Sequence, residues 1–251
     1  MKRNVMSSFP RLLLLVPVLA AAAQAQTQVP AAPPPVYTGA FGVGFALTGG
    51  NTDTKTFNLT FDLTRDPKTK NVFKANALYL RADAAGETNA DRLLLGIRDE
   101  YKISNRAFVY GALPYMRDPF KDISYLINPN GGIGYKLIAT DRATFSTTGG
   151  AGAVWEKNPD ADVQTSGTIN LGQGFTYKIS ETASINQGFT ALWKTSDFSD
   201  ALYHTSVALV ASITKKAQLK VEFIDDFKNV TPNPSVKKND TAFITSFLFK
   251  F

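Results

Sequence analysis

The chain has 251 residues, a formal net charge of +6, 44% hydrophobic residues, a mean hydropathy of −0.10 and no cysteine. Such a hydropathy is far from that of a helical membrane protein, and no stretch after residue 25 is long and apolar enough for a spanning helix. Without cysteine there is no lipoprotein anchoring, no disulfide framework, no thiol catalysis and no cysteine-ligated metal.

Residues 1–25 read as an export signal. Lys2, Arg3 and Arg11 precede the apolar run Leu12 to Ala23, and Ala23-Gln24-Ala25 is a small-x-small cleavage site, so removal after Ala25 is expected. A retained anchor is the alternative, but the run is short and contains Pro17. Loss of the three leader cations leaves 24 Lys+Arg against 21 Asp+Glu, a net +3. The basic balance is therefore not read as a nucleic-acid footprint. Residues 26–36, QTQVPAAPPPV, hold four prolines and no apolar period, as expected of an extended periplasmic linker.

From residue 37 to 251 the chain reads as strand, turn, strand. Phe41, Val43, Phe45 and Leu47 alternate with Gly42, Gly44, Ala46 and Thr48; after Gly49-Gly50-Asn51-Thr52, Phe57, Leu59, Phe61 and Leu63 alternate with Thr56, Asn58, Thr60 and Asp62. A third strand follows Arg65 to Lys68, and a fourth, at about 91–103, sets Leu93, Leu95, Ile97 and Tyr101 outward against Arg92, Arg98, Glu100 and Lys102 inward. Asp99 falls on the outward parity, close to a turn. Tight turns are expected at Ser104-Asn105, Thr140-Asp141, Ser180-Glu181 and Lys215-Lys216. Longer polar connections are expected at Asp83 to Ala90, Arg117 to Asp122, Lys157 to Asp162, Asp197 to Asp200 and Val230 to Lys238. Short on one side and long on the other is the pattern of periplasmic turns and extracellular loops.

The stretch Asn239 to Phe251 closes the series, with Phe243, Phe247, Phe249 and Phe251 on one face and Ala242, Ile244, Ser246 and Leu248 on the other. An outward face of phenylalanines suits hydrocarbon bounded by an aromatic girdle. Trp155 and Trp193 fall near strand ends, where girdle residues sit. The expectation is an all-β fold: a transmembrane up-and-down antiparallel β-barrel of about twelve strands, both ends in the periplasm. A soluble sandwich would explain the alternation, but not the terminal phenylalanine together with the loop lengths.

Leu47 to Thr54, LTGGNTDT, with Lys238 to Phe251, KNDTAFITSFLFKF, resembles a family of salt-induced outer-membrane proteins of unknown function over about residues 38–251. The C-terminal strand also resembles that of Gram-negative outer-membrane barrels, whose final Phe is read by the barrel-insertion machinery. The resemblance implies the cell outer membrane, a barrel fold and induction by salt; it supplies no catalytic residue.

Several inward positions are candidates for chemistry. His204, the one histidine, shares a face with Ser206, which a barrel hydrolase could use, but no compact catalytic set surrounds them. Lys220, Glu222, Asp226 and Lys228 form a column of alternating charge, and the two carboxylates stand roughly 13 Å apart at 3.3 Å per residue, too far for a glycosidase pair. Arg92, Arg98 and Lys102 either draw anions into a pore or pair with carboxylates across it. Pro114 and Pro129 cannot donate to the ladder, so weakened pairing is expected there, with a bulge at Asn130-Gly131-Gly132 and a candidate lateral opening. No cofactor or metal is called for. Three readings follow: a small passive channel for solutes or ions, a barrel with a filled lumen, and a lipid-acting enzyme. The first is preferred because Gly, Ser, Thr and Asn dominate the inner face.

Overall fold

The computed structural model describes residues 35–48, 54–231, 234 and 236–251. The export signal, the linker up to residue 34 and the Gly49 to Thr52 turn lie outside the described residues. Period-two alternation folds as expected, into β1 (Tyr37–Thr48), β2 (Thr54–Arg65), β3 (Asn71–Ala84), β4 (Glu87–Lys102), β5 (Ala107–Asp118), β6 (Ile123–Ile127), β7 (Asn130–Ala139), β8 (Ala143–Lys157), β9 (Gln164–Lys178), β10 (Ala183–Lys194), β11 (Asp197–Ser212), β12 (Ala217–Lys228) and β13 (Asn239–Lys250). Each strand pairs antiparallel with its neighbour, and β1 pairs with β13. The sheet thereby closes into an all-β barrel. β6 and β7 are halves of one wall strand, since both lie between β5 and β8, so the thirteen segments occupy twelve positions.

The pleat sends alternate side chains outward and into the lumen. On β13, Phe243, Phe247 and Phe249 are exposed on the outside, whereas Ile244, Ser246 and Leu248 are buried inside. At the seam, Gly39 and Phe251 exchange both backbone hydrogen bonds, each 3.1 Å. Gly42 and Gly44 permit the interior packing beside it. A Cβ at Gly42 would run into Thr60 and Leu248, and one at Gly44 into Asn58.

Two of the long connections expected from composition are instead strand. β3 and β4 continue through Asp83 to Ala90 and turn at Ala85-Gly86, both with positive φ (53° and 86°), as a two-residue hairpin turn requires. β11 begins at Asp197, so its connection to β10 is only Thr195-Ser196. Polar residues here mark ladders that run on past the apolar belt, held by cross-strand contacts such as Thr88 Oγ1 to Asp83 Oδ1 (2.6 Å). The bulge expected at Asn130-Gly131-Gly132 is also absent: the β5–β7 register is regular there, and β7 shifts register against β8 between Lys136 and Ile138.

We call the end of the barrel that holds Tyr37 and Phe251 the terminus-side rim, and the opposite end the far rim. The four expected tight turns lie on the terminus-side rim, and the two-residue connections Ala85-Gly86 and Thr195-Ser196 on the far rim. The connections 119–122, 158–163 and 229–238 lie on the far rim.

Candidate functional site

The lumen is unequal around its circumference. Beside the seam, β2, β3, β12 and β13 fill it: Leu80, Ile224 and Ile244 pack with Leu78 and Ala242, and Ser246 Oγ donates to Asn58 Oδ1 at 2.7 Å, both groups buried. Across from this, β8 to β10 present Ser146, Thr148, Gly172, Asn186, Gly188 and Thr190 inward, and none of them is buried. A cavity of about 400 Å³ lies between β4–β5 and β9–β12 and touches this side at Thr148, Gly172 and Thr190; Arg92, Arg98, Tyr110, Asn170, His204 and Asp226 also line it.

Charge gathers at the far mouth. The connection after β5 makes a 3-10 turn, Pro119–Lys121, and Asp122 follows in the left-handed region (φ 53°), its carbonyl accepting from Asn158 Nδ2 at 2.7 Å. This geometry drives Lys121 into the lumen, where it is 2% exposed. Its ammonium donates to the Asp226 carbonyl (3.0 Å) and pairs with Asp240 Oδ2 (3.1 Å). Asp226 also takes Arg92 and His204 Nδ1 (2.7 Å), and the Arg92 Nε lies 3.8 Å from Asp118 Oδ2. A second group centres on Glu156, which is 1% exposed and pairs with Lys228 and Lys194 (2.7 Å); Lys194 in turn meets Asp200 at 2.6 Å. Ile123, Leu126 and Val154, with Met116 and Leu202, pack between the two groups. A buried pair survives only when its charges are compensated, and Glu156 is held between two cations while Asp226 has Arg92 and His204 as partners.

The charges expected to line an open pore are therefore committed to one another. Arg92 goes to Asp226 and Asp118. Arg98 goes to Glu100 (2.8 Å), which also takes Lys74 (2.9 Å), and the Arg98 guanidinium lies 3.7 Å from the centre of the Tyr110 ring. Lys220 pairs with Glu222 at 2.8 Å, and Lys102 reaches Asp66 at 3.1 Å in the turn after β2. Burial works against the Asp66 carboxylate, but the Lys68 backbone N–H and the Lys102 and Lys68 ammonium groups outweigh it and hold the carboxyl below its ordinary range. His204 has Asp226 as an orienting partner, yet among the described residues no hydroxyl hydrogen-bonds to it, Ser206 included.

At Pro114 and Pro129 the wall is bridged by side chains. Level with them, Asn128 N donates to the Pro114 carbonyl and Ala153 N to the Pro129 carbonyl, each at 3.1 Å. The two donors the prolines lack are supplied by amides: Asn128 Nδ2 donates to the Ala153 carbonyl (2.9 Å), and Asn130 Nδ2 to the Asn128 carbonyl (2.8 Å). The weakened pairing expected there is thus made good.

Glu156, Lys194, Lys121, Asp118 and Asn128 were not among the sequence candidates. Glu156, Lys194 and Asp118 keep the inward parity of their strands, and counting on by two past the last apolar residue would have found them. Lys121 carries no such signal, because the 3-10 turn, rather than a strand, aims it.

A family model described as "Protein of unknown function, DUF481" matches residues 41–251. The chain belongs to the DUF481 family. No curated protein matches the chain. Among solved structures, the COG4313 outer membrane channel from Pseudomonas putida F1 is similar at 12% identity, over 86% of this chain and 94% of that one, with a TM-score of 0.50. The NanC porin is similar at 9% identity over 85% and 97% of the two chains (TM-score 0.48), and the KdgM porin in complex with disordered oligogalacturonate at 9% over 85% and 99% (TM-score 0.48). These likenesses concern the fold. This DUF481 member shares the closed antiparallel β-barrel fold of the COG4313 outer membrane channel.

Its outer surface carries aromatic residues at both ends. At the far rim Trp155 is 39% exposed beside Ile127, and Trp193 Nε1 donates to the Tyr203 hydroxyl at 3.1 Å. At the terminus-side rim Phe251 lies near Phe61, their ring centres 6.3 Å apart, and Asp99 accepts from Asn71 Nδ2 at 3.1 Å.

Proposed function

We propose that this barrel is a channel for small solutes or ions, its passage running down the β8–β11 side and shut at the far mouth by Lys121 and the two ion-pair groups. One observation carries the reading: β8 to β10 turn unburied small or polar side chains into the lumen, opposite a packed side, and the adjoining cavity reaches Lys121, Arg92 and Asp226 at the far mouth. Ion pairs at a mouth can exchange partners with water and solute, whereas a jammed apolar core cannot. Because Arg92, Arg98 and Lys102 all have carboxylate partners, ion preference is weak.

Conductance in planar bilayers with a salt gradient tests this. Long closures are expected for the native chain, with frequent openings and a reversal potential near zero for Lys121→Met. Silence from folded Lys121→Met would reject the channel and favour a filled barrel.

Phe243, Phe247, Phe249 and Phe251 support contact with lipid, and Phe251 at the seam supports recognition by the insertion machinery. Slower membrane insertion of Phe251→Ala is expected in an assembly assay. Induction by salt, implied by the resemblance, predicts more transcript after osmotic upshift. The prolines at 114 and 129 remain the place to test lateral passage: Val at both should abolish uptake of a lipophilic solute if the wall opens there.

A further inference from the structure

The two rims differ in charge. Across the terminus-side connections, with their flanking strand residues and Lys250, stand ten Lys/Arg against three Asp/Glu; across the described far-rim connections, counted the same way, stand six against six. Three far-rim cations, Lys121, Lys194 and Lys228, turn into the lumen and are buried. On the terminus side, Asp66 takes Lys68 and Lys102, while Arg65, Lys70, Arg106, Arg142, Lys178, Lys215, Lys216 and Lys250 are exposed and, among the described residues, have no carboxylate partner.

The aromatic rings divide the same way. Tyr37, Tyr101 and Tyr177, outward at the terminus-side rim on three separate hairpins, each lie under a cation: Arg65 at 5.9 Å, Lys70 at 5.5 Å and Arg142 at 5.2 Å from the ring centre. Rings meet rings at both rims, Phe45 with Phe57 (5.0 Å) and Trp193 with Tyr203 (5.7 Å) at the far one and Phe175 with Tyr177 (6.5 Å) at the other, but among the described residues no cation lies over an outward ring at the far rim. A tyrosine at a membrane interface sits at headgroup level, and a cation held over its face is fixed at the height of the lipid phosphates. An unpaired cation at that height, repeated around the barrel, complements a layer of negative headgroups.

We propose that the terminus-side rim is a binding surface for anionic phospholipid headgroups, with Arg65, Lys70 and Arg142 contacting their phosphates. The surface is independent of whether the lumen conducts. It holds the barrel at a set depth and draws anionic lipid to one leaflet.

Native mass spectrometry of the purified barrel, released from micelles mixed equally with phosphatidylglycerol and phosphatidylcholine, counts the lipids retained. Phosphatidylglycerol should be retained about fivefold over phosphatidylcholine, each headgroup meeting one interfacial cation worth about 1 kcal/mol. Arg65→Gln/Lys70→Gln/Arg142→Gln should remove most of this preference, while Lys157→Gln/Lys237→Gln/Lys238→Gln, with the same charge loss at the far rim, should keep it. Equal retention of the two lipids by the native chain overturns the proposal without any variant. Equal loss in both triple variants overturns it too, since net charge alone would then explain the preference. Displacement of the lipid by millimolar inorganic phosphate would point to a free-anion site and also overturn it. Should the rim triple fail to fold, as judged by heat-modified gel mobility, Arg142→Gln alone is expected to lose part of the preference.

Discussion

The far mouth and the terminus-side rim both carry many charges, and they use them in opposite ways. At the mouth, Glu156 and Asp226 are buried, Glu156 between Lys194 and Lys228 and Asp226 against Arg92 and His204. At the rim, lysines and arginines stand in water over tyrosine rings with no carboxylate to answer them. A charge inside the wall contributes to a fixed arrangement and responds little to salt; a charge on the rim contributes a field, and salt screens it within about 8 Å. The same residue types thus pair with carboxylates inside one end of the barrel and stand unpaired on the other.

The sharpest way to break this contrast is Glu156→Gln. It deprives Lys228 of its carboxylate and leaves Lys194 with Asp200 alone, so a loss of about 3–5 kcal/mol is expected in urea unfolding from lipid vesicles. Asn128→Ala follows. It frees the Ala153 carbonyl in a buried part of the wall and removes the bond to Thr168 (2.9 Å), for about 1–3 kcal/mol by the same measurement. Lys121→Met should cost about 1 kcal/mol, because Asp240 is 44% exposed and can be rehydrated, while open probability rises in bilayers. At the rim, Lys70→Gln or Arg142→Gln should change stability by no more than about 0.5 kcal/mol.

An effect of the same small size is expected at Asp66→Asn, about 0.5 kcal/mol and reduced by salt. Its sign with pH is definite. The folded carboxyl titrates below its unfolded value, so its contribution is complete above the ordinary carboxylate range and is lost as acid titrates the folded group. A stability–pH curve for the native chain and Asp66→Asn should therefore converge at low pH.

The fold was legible because a barrel repeats one rule twelve times. Phe243, Phe247 and Phe249 against Ile244, Ser246 and Leu248 is the rule in its plainest form, and it holds in the structure. Strand ends were harder to read. Polar stretches such as Asp83 to Ala90 look like loops, yet a ladder that leaves the apolar belt can continue in water with polar side chains on both faces. The mouth was half legible: Arg92, His204 and Asp226 were read as inward-facing from parity. Their partners were not legible, because Asp226 meets Arg92 across 134 residues and Lys228 meets Glu156 across 72. Pro114 and Pro129 show the limit from the other direction. Their missing donors are a local fact, and the amides that replace them, Asn128 and Asn130, stand next to Pro129 in the chain and give no sign of it.

The seam has a consequence for how the barrel assembles. Every other junction in the wall joins strands that a short connection already holds together, but β1 and β13 meet only after some 200 residues of chain have been arranged between them. Bringing together ends separated by roughly fifty times the length of a hairpin turn costs about 3.5 kcal/mol more in chain entropy. The ladder that repays this is short, four registered pairs from Ala40↔Lys250 to Val43↔Phe247, against twelve between β1 and β2. Hairpins therefore form first and the cylinder zips last, at its least adhesive edge. Until it does, the exposed edges of β1 and β13 are where another strand, from a helper or from a second copy, can intervene.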